Sequence, residues 1–257
     1  MGRHVQCEER GGVAVVTICR PEALNALNPD VLQELWEAMD RLGSLRHIKV
    51  IILTGMGDKA FVAGADIASM RDMSPGEAIT FSRIGHQTMD RIVSMRTVTI
   101  AAINGYALGG GCELALACDM RIASTRCKMG IPEATLGVIP GFGGTQRLPR
   151  LVGLGRAIEL LATGKAWGAQ TCKEIGLVNH VVEPEKLMDC CMGLAEQIVK
   201  NSAIAIDYGK QCMRAGVEMD LSKALELEQR VFALTFVETD QREGMSAFLE
   251  KRPAHFI

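Results

Sequence analysis

A glycine-rich segment at residues 104–113 contains the residues best suited to chemistry in this sequence. Gly109, Gly110 and Gly111 run directly into the apolar segment 114–117, which has the character of a helix. The first turn of such a helix presents unpaired backbone N–H groups at the positive end of the helix dipole. Because glycines carry no side chain, a ligand oxygen can approach those groups closely, as in an oxyanion hole. The same pattern fits a tight strand-to-helix turn.

Two glutamates lie in apolar surroundings, where a carboxylate is costly unless it is used. Glu113 follows the glycine run inside the helix, and the simpler alternative is that it stabilises the helix dipole. Glu133 follows Pro132 and precedes the apolar, glycine-rich stretch 136–141. If Glu133 is buried, its pKa should rise toward neutrality, which suits acid–base catalysis. By itself this second signal is weak, since most isolated glutamates are solvated.

A second segment of small residues, Phe61 to Ile67, follows the apolar run 50–53. Ligand-binding loops in α/β proteins follow the carboxyl ends of strands. The backbone N–H of Ala65 could therefore face a bound ligand. Taken alone, the segment favours the alternative of an ordinary loop in which Asp66 caps a short helix.

Composition excludes several classes of function. The chain has 257 residues, of which 48% are hydrophobic and 4% aromatic, and its formal net charge is -2. These values indicate a large aliphatic core and no electrostatic footprint for nucleic acid or an anionic membrane. No apolar run approaches the roughly 20 residues that span a bilayer. We therefore expect a soluble protein.

Cysteine and histidine usage argues against metal and disulfide frameworks. The nine cysteines lack C-x-x-C spacing, and the five histidines are scattered. We expect reduced thiols, a cytoplasmic location and no metal site. Walker, G-x-S-x-G, H-E-x-x-H and dinucleotide-binding motifs are absent from the sequence.

Periodicity predicts an α/β core followed by helices. Apolar runs at 13–18, 50–53 and 98–103 have the character of buried strands, and they alternate with helices that begin near Pro29 and Glu77. After Gly141 the sequence predicts helices, interrupted by one strand at 177–182. The helices are expected over residues 151–163, 184–200, 203–215, 221–236 and 241–251. The predicted boundary lies near residue 190.

Six segments, taken together, resemble the crotonase, or enoyl-CoA hydratase, superfamily. They occur in order across nearly the whole chain, which makes the match far more specific than one glycine run. The segments are Arg20 to Leu27, Phe61 to Ile67, Asn104 to Glu113, Pro132-Glu133, Pro140 to Leu148 and Arg242 to Arg252.

This resemblance implies a spiral of ββα units over residues 1–190, with a helical oligomerisation region over 191–257 that builds homotrimers, often paired into hexamers. It implies an acyl-CoA substrate and no separate cofactor. The thioester carbonyl would lie between the N–H groups of Ala65 and Gly110.

Further positions match the family's substrate-binding segments. Those predicted to line the substrate site are Ala23, Leu24, Ala26, Ala63, Gly64, Asp66, Ile67, Tyr106, Leu108, Gly109, Pro132 and Gly141. Phe248 and Lys251 match positions that can reach a neighbouring subunit's coenzyme, although helix amphipathicity explains them equally well.

The family hosts several chemistries, so the two glutamates must decide between them. By similarity, Glu113 activates the water that attacks the β carbon, and Glu133 exchanges a proton with the α carbon. An isomerase needs a single base, so the pair favours hydration or dehydration. The glycine and C-terminal motifs resemble those of short-chain bacterial crotonases, which makes a short-chain 2-enoyl-CoA, crotonyl-CoA first, the expected substrate. One departure is Ile131, where many hydratases have Gln; this weakens any prediction of the preferred acyl chain.

Three rival functions remain open at the level of sequence. The first is another acyl-CoA lyase or isomerase of the same fold, and a hydratase of cyclic or branched enoyl-CoAs would share both glutamates. Some crotonase relatives bind AU-rich RNA, but the net charge and the few aromatics disfavour that role here. A catalytically inactive scaffold is disfavoured because both glutamates and both small oxyanion-hole residues are retained.

Overall fold

A computed structural model describes residues 2–256. The chain forms two compact units, residues 1–193 and 194–257. Within the described residues the strands are β1 (Val5–Arg10), β2 (Val13–Ile18), β3 (Val50–Gly55), β4 (Ala60–Val62), β5 (Val98–Ile103), β6 (Tyr106–Leu108), β7 (Met120–Ser124), β8 (Lys128–Gly130), β9 (Trp167–Gly168) and β10 (His180–Val182). The predicted α/β class is confirmed.

The first unit also contains helices, several of which contact these strands. They are α1 (Pro29–Ser44), α2 (Ile67–Met70), α3 (Pro75–Ser94), α4 (Gly110–Ala117), α5 (Gly144–Val152), α6 (Leu154–Thr163), α7 (Ala169–Glu174) and α8 (Leu187–Val199), which runs into the second unit. Short 3₁₀ turns cover Pro21–Ala23, Pro132–Leu136 and Pro184–Lys186.

The strands form two sheets, and the successive strands β3 to β8 alternate between them. The larger sheet has the order β1-β2-β3-β5-β7-β10 and is parallel except for the β1–β2 hairpin. The smaller sheet has the order β4-β6-β8-β9 and is parallel except for β8–β9. Each repeat places one strand in the larger sheet, the next in the smaller sheet, and then a helix. This is the spiral of ββα units that the family resemblance implied.

Capping residues determine where the two long helices begin. Asn28 Oδ1 accepts a hydrogen bond from Val31 N, and Pro29 occupies the first turn of α1, as the sequence indicated. Helix α3 begins two residues before the predicted Glu77, because Ser74 and Glu77 form a reciprocal capping box.

Two predicted elements differ in extent from those observed. The helix expected over 151–163 is two helices, because Gly153 adopts φ 87°, which breaks the chain between α5 and α6. The strand expected over 177–182 is confined to β10, since Leu177 and Val178 donate their N–H groups to Cys172 O.

The second unit is helical, as predicted. It contains α9 (Ala203–Gly216), α10 (Leu221–Thr235) and α11 (Thr239–Leu249), and α9 packs against α10. Ser202 caps α9 and donates its hydroxyl to the buried Asp240 carboxylate at 2.6 Å. Several large apolar side chains of this unit are exposed: Met213, Val217, Leu221, Phe232, Val237, Phe248 and Leu249.

Candidate active site

A cavity of about 640 Å³ lies at the carboxyl ends of β4 and β6. The sequence-predicted residues that line it are Ala63, Gly64, Ala65, Ile67, Leu108, Gly109, Gly110, Glu113, Pro132, Glu133 and Gly141. Both glutamates and both predicted oxyanion-hole residues therefore face one space, although they come from three separate parts of the chain.

The register of the smaller sheet brings the two oxyanion-hole residues together. Val62 of β4 pairs with Ala107 of β6 in parallel. Ala65 and Gly110 each follow these paired residues by three positions. Parallel neighbouring strands end at the same edge of a sheet, so the two loops leave that edge side by side.

The N–H of Ala65 points away from Leu27, the residue to which both neighbours of Ala65 are hydrogen-bonded. Gly64 O accepts a hydrogen bond from Leu27 N at 2.9 Å, and Asp66 N donates to Leu27 O at 2.8 Å. Because a trans peptide places C=O and N–H on opposite sides, the Ala65 N–H is directed away from Leu27. Ala65 also lines the cavity, so this N–H is available as a donor there.

The N–H of Gly110 is presented by the start of α4. Gly109 O accepts from Glu113 N at 3.0 Å within the helix, so the Gly110 N–H at the other end of that peptide points out of the helix. Gly109 has φ 49° and ψ −120°, a conformation that glycine alone adopts readily. A side chain there would also meet Glu133 Oε1 at 2.5 Å. Backbone and space both require this glycine.

Glu113 is buried and held at one carboxylate oxygen. It is 1% exposed, and its Oε1 accepts hydrogen bonds from Phe142 N at 2.8 Å and Gly144 N at 2.7 Å. Burial raises the pKa of Glu113, while these two N–H groups and the charge of Arg147 counter that rise. The two N–H groups therefore fix the orientation of the carboxylate and oppose the effect of burial on its pKa.

Glu133 has a different environment in the 3₁₀ turn Pro132–Leu136. Burial raises its pKa to about 7, and the negative charge of Glu113 adds to the increase. Its Oε2 is buried and, among the described residues, receives no hydrogen bond. Ile131, which precedes Pro132 where many hydratases have Gln, is a core residue that is only 2% exposed. Glu133 is therefore suited to carry a proton near neutral pH.

Five residues of the first unit that were predicted to line the substrate site do not line the cavity: Ala23, Leu24, Ala26, Asp66 and Tyr106. The segment that contains Leu24 nevertheless lies beside the Ala65 loop, since Ala63 N donates to Leu24 O at 3.1 Å. Tyr106 is 40% exposed at the start of β6.

Asp66 stands at the N-cap position of α2, but its side chain makes no capping hydrogen bond. Instead, its carboxylate is bound by Arg20 Nη2 at 2.8 Å, in a partly buried ion pair. This contact anchors the loop next to Ala65 rather than the substrate site.

Phe248 and Lys251 belong to the second unit. Phe248 lies in α11 with 83% of its surface exposed, and Lys251 follows that helix. Their prediction as coenzyme contacts of a neighbouring subunit stays a prediction.

The sequence interpretation missed the side of the cavity formed by α2, α3 and the segment 136–142. These lining residues are Met70, Arg71, Met73, Ala78, Phe81, Ser82, Leu136, Val138, Ile139 and Phe142. The α3 residues gave no signal, because their spacing is that of any amphipathic helix. Phe142 could have been suspected, since it is the large residue inside a run of glycines.

In the part of the chain that the structure describes, no group of three or more histidine, cysteine, aspartate or glutamate side chains lies close enough to hold a metal ion. None of the helices in residues 2–256 has the length and apolar character needed to cross a bilayer.

Comparison with known proteins places this geometry in a family. The family model described as enoyl-CoA hydratase/isomerase matches residues 8–257. A crotonyl-CoA hydratase of Syntrophomonas wolfei is 47% identical over 250 residues, which cover 97% of this chain and 96% of the relative. A short-chain-enoyl-CoA hydratase of Clostridium acetobutylicum is 46% identical over 249 residues, covering 97% and 95%.

Solved structures agree with these sequence relatives. The crystal structure of an enoyl-CoA hydratase from Bacillus anthracis superposes with a TM-score of 0.96 at 38% identity, and the match covers 99% of each chain. Together with the family model and the full-length relatives, this likeness establishes that the chain belongs to the enoyl-CoA hydratase/isomerase family.

Proposed function

We propose that this protein is an enoyl-CoA hydratase, which reversibly adds water across the 2,3 double bond of a short-chain 2-enoyl-CoA to give the 3-hydroxyacyl-CoA. The observation that carries the proposal is one apolar cavity that contains two glutamates and two outward-facing backbone N–H groups. Relatives named crotonyl-CoA hydratase and short-chain-enoyl-CoA hydratase make crotonyl-CoA the first substrate to test.

The backbone donors bind the thioester carbonyl. The N–H groups of Ala65 and Gly110 donate to its oxygen, which becomes enolate-like as water adds to the β carbon. Donors that are already in place stabilise this charge without reorganisation, and each is typically worth about 3 kcal/mol. The Gly110 donor also stands at the positive end of α4.

The two glutamates move the protons. Ionised Glu113 accepts a proton from water as the water oxygen bonds to the β carbon and the double-bond electrons move toward the carbonyl. Protonated Glu133 then donates to the α carbon, and the carbonyl is restored. Dehydration is the reverse. A pKa of about 7 keeps Glu133 partly protonated at neutral pH, as its role requires.

The pair of carboxylates also separates hydration from isomerisation. Moving a double bond needs one base that removes and returns a proton, whereas adding water needs an acid and a base on different atoms. Cyclic or branched enoyl-CoA substrates would use the same pair, so the hydrated product must be identified for each acyl group.

We propose that the segment around Ala23, Leu24 and Ala26 contributes to coenzyme A binding. This segment hydrogen-bonds to the Ala63–Asp66 loop, which lies beside the cavity. No separate cofactor takes part, since coenzyme A belongs to the substrate. We also infer a homo-oligomer, a trimer or a pair of trimers, because the second unit exposes many large apolar side chains. The nine free thiols favour a reducing compartment, for which we retain the cytoplasm.

The direct test follows the conjugated-thioester absorbance of crotonyl-CoA. Wild-type protein should consume it and form 3-hydroxybutyryl-CoA. Glu113→Gln and Glu133→Gln should each lower kcat by at least about 10²-fold, as expected for a lost general acid or base. Glu159→Gln, at an exposed position of α6, is the matched control and should retain full activity.

Two results would contradict this assignment. Undiminished hydration in either active-site variant would exclude the two-carboxylate mechanism. Folded wild-type protein that binds coenzyme A but leaves crotonyl-CoA unchanged would reject the short-chain substrate, and cyclic, branched and longer acyl-CoAs would then be compared.

A further inference from the structure

The loop 140–144, which donates two hydrogen bonds to Glu113, also accepts a hydrogen bond from α3. Residues 140–144 supply the two N–H donors, Phe142 N and Gly144 N, to Glu113 Oε1. On the opposite side, Ser82 of α3 donates its hydroxyl to Gly141 O at 2.6 Å. A single peptide group, Gly141–Phe142, therefore links Ser82 of α3 to the Glu113 carboxylate.

The Gly141–Phe142 peptide has hydrogen bonds at both ends. Its carbonyl accepts from Ser82 Oγ, and its N–H donates to the Glu113 carboxylate. Donation to the carbonyl polarises a peptide and strengthens its N–H as a donor, because hydrogen bonds in a chain reinforce one another. It also fixes the plane of the peptide, and hence the direction in which the N–H points.

We propose that Ser82 is a positioning residue for Glu113, acting through the Gly141–Phe142 peptide to orient the carboxylate that activates water. The assignment deepens the proposed hydratase function and rests on it for the role of Glu113. The orientation of the carboxylate by Ser82 can, however, be measured without turnover.

Packing shows that the loop is seated on α3 as a unit. The Phe142 ring lies against Gly85, where no side chain stands between them, and it meets Phe81 edge-on with ring centroids 5.2 Å apart. Arg147 adds a second link, because its Nη1 donates to Phe142 O at 2.8 Å while its Nη2 binds Asp90 at 2.9 Å.

Ser82 is the informative residue among these contacts because it is neutral. The charged or titratable groups that face Glu113 are Arg147 of α5, Glu133 of the 3₁₀ turn and the neighbouring Cys112. Removal of Arg147 would change both the loop position and the charge at Glu113. Removal of the Ser82 hydroxyl leaves every one of these charges in place.

The expected direction of the change follows from the hydrogen bond to the ionised form. A weaker Phe142 N–H stabilises the Glu113 carboxylate less, so its pKa rises. The base must be ionised during hydration, and the acidic limb of kcat/KM therefore moves to higher pH in Ser82→Ala. We expect a shift of about half a pH unit and a loss of about ten-fold in kcat, with KM changed by less than about two-fold.

The experiment compares Ser82→Ala with Ser82→Thr, which restores a hydroxyl, and with Ser94→Ala. Ser94 ends the same helix and donates only to Arg91 O of its own turn, so it is the matched control. Ser82→Thr should recover most of the activity, and Ser94→Ala should match wild type. In a Glu113→Gln background, Ser82→Ala should cost nothing further, because the two residues act as one unit.

A readout without turnover keeps this inference separate from the proposed function. In protein labelled with ¹³C at the glutamate carboxyl carbon, the Glu113 signal is identified by its loss in Glu113→Gln. Its titration midpoint should be about half a unit higher in folded Ser82→Ala. An unmoved midpoint, or an activity loss that persists in the Glu113→Gln background, would overturn the role of Ser82, whereas an inactive wild type would overturn the hydratase proposal alone.

Discussion

The surroundings of Glu113 and Glu133 differ although both face the same cavity. Glu113 is buried on a helix; burial raises its pKa, and two backbone N–H groups and a nearby arginine counter that rise. Glu133 is partly buried on a 3₁₀ turn, with one buried oxygen that receives no hydrogen bond from the described residues. One environment supports a base and the other a proton donor. These different neighbours are the physical basis of the opposite roles that we propose for two identical side chains.

Each glutamate side chain also lies against a glycine, and it occupies space that a side chain at that glycine would need. The space that a Cβ would fill at Gly109 touches Glu133, and the space at Gly144 touches Glu113. A substitution at Gly109 should therefore disturb Glu133, and a substitution at Gly144 should disturb Glu113.

Gly109→Ala should be the most damaging. Its Cβ would lie 2.5 Å from Glu133 Oε1, and the backbone conformation at this residue is strained for alanine. Because the same peptide presents the Gly110 donor, we expect kcat to fall by about 10²–10³-fold. Gly176→Ala, also at positive φ but with open space around it, is the control and should change stability only. Equal kinetics in the two variants would contradict the proposed crowding.

Gly144→Ala should disturb Glu113 instead. The added Cβ would lie 2.9 Å from Glu113 Cγ and 3.0 Å from Oε1, so the loop must move and weaken both N–H bonds. We expect a loss of about 30-fold in kcat, within the range that misplacement of a catalytic group produces. Gly155→Ala, near the start of α6 with no neighbour to meet, should retain wild-type kinetics.

The pH dependence should separate the two carboxylates. Hydration needs Glu133 protonated, and burial raises its pKa to about 7, so kcat/KM for hydration should fall about ten-fold per pH unit above that value. Glu113 governs the acidic limb, where its protonation abolishes the base. Rates with crotonyl-CoA across pH would check both limbs, and a rate that rises through neutral pH would reverse the assigned roles.

Asp66→Asn should have the smallest effect and should leave the difference between the Glu113 and Glu133 environments unchanged. It removes the ion pair with Arg20 beside Ala65, which loosens the oxyanion-hole loop without touching either glutamate. A partly exposed ion pair is typically worth up to about 1 kcal/mol, so kcat should fall by about five-fold or less. The two limbs of the pH profile should not move, and a displaced limb would show that Asp66 acts on a carboxylate after all.

The sequence predicted those helices and strands that carry a local signal of their own, such as an apolar run or a capping residue. The apolar runs at β2, β3 and β5 and the Asn28-Pro29 helix start were predicted at their observed positions. The smaller sheet was not predicted, because β4, β6 and β8 have three residues each and β9 only two, too few to show a periodic pattern. These short strands are the ones that bring Ala65 and Gly110 together.

What the sequence alone determined is the chemistry available to this protein: two glutamates in apolar surroundings and glycines where a backbone donor must be approached. These properties are local, because residue type and neighbours set them. The family resemblance already implied a role for each glutamate, but only the tertiary structure decided how deeply each one is buried and which groups donate hydrogen bonds to it. Burial and hydrogen bonds set a pKa, and they come from distant segments: Phe142 and Gly144 reach Glu113 from about 30 positions away.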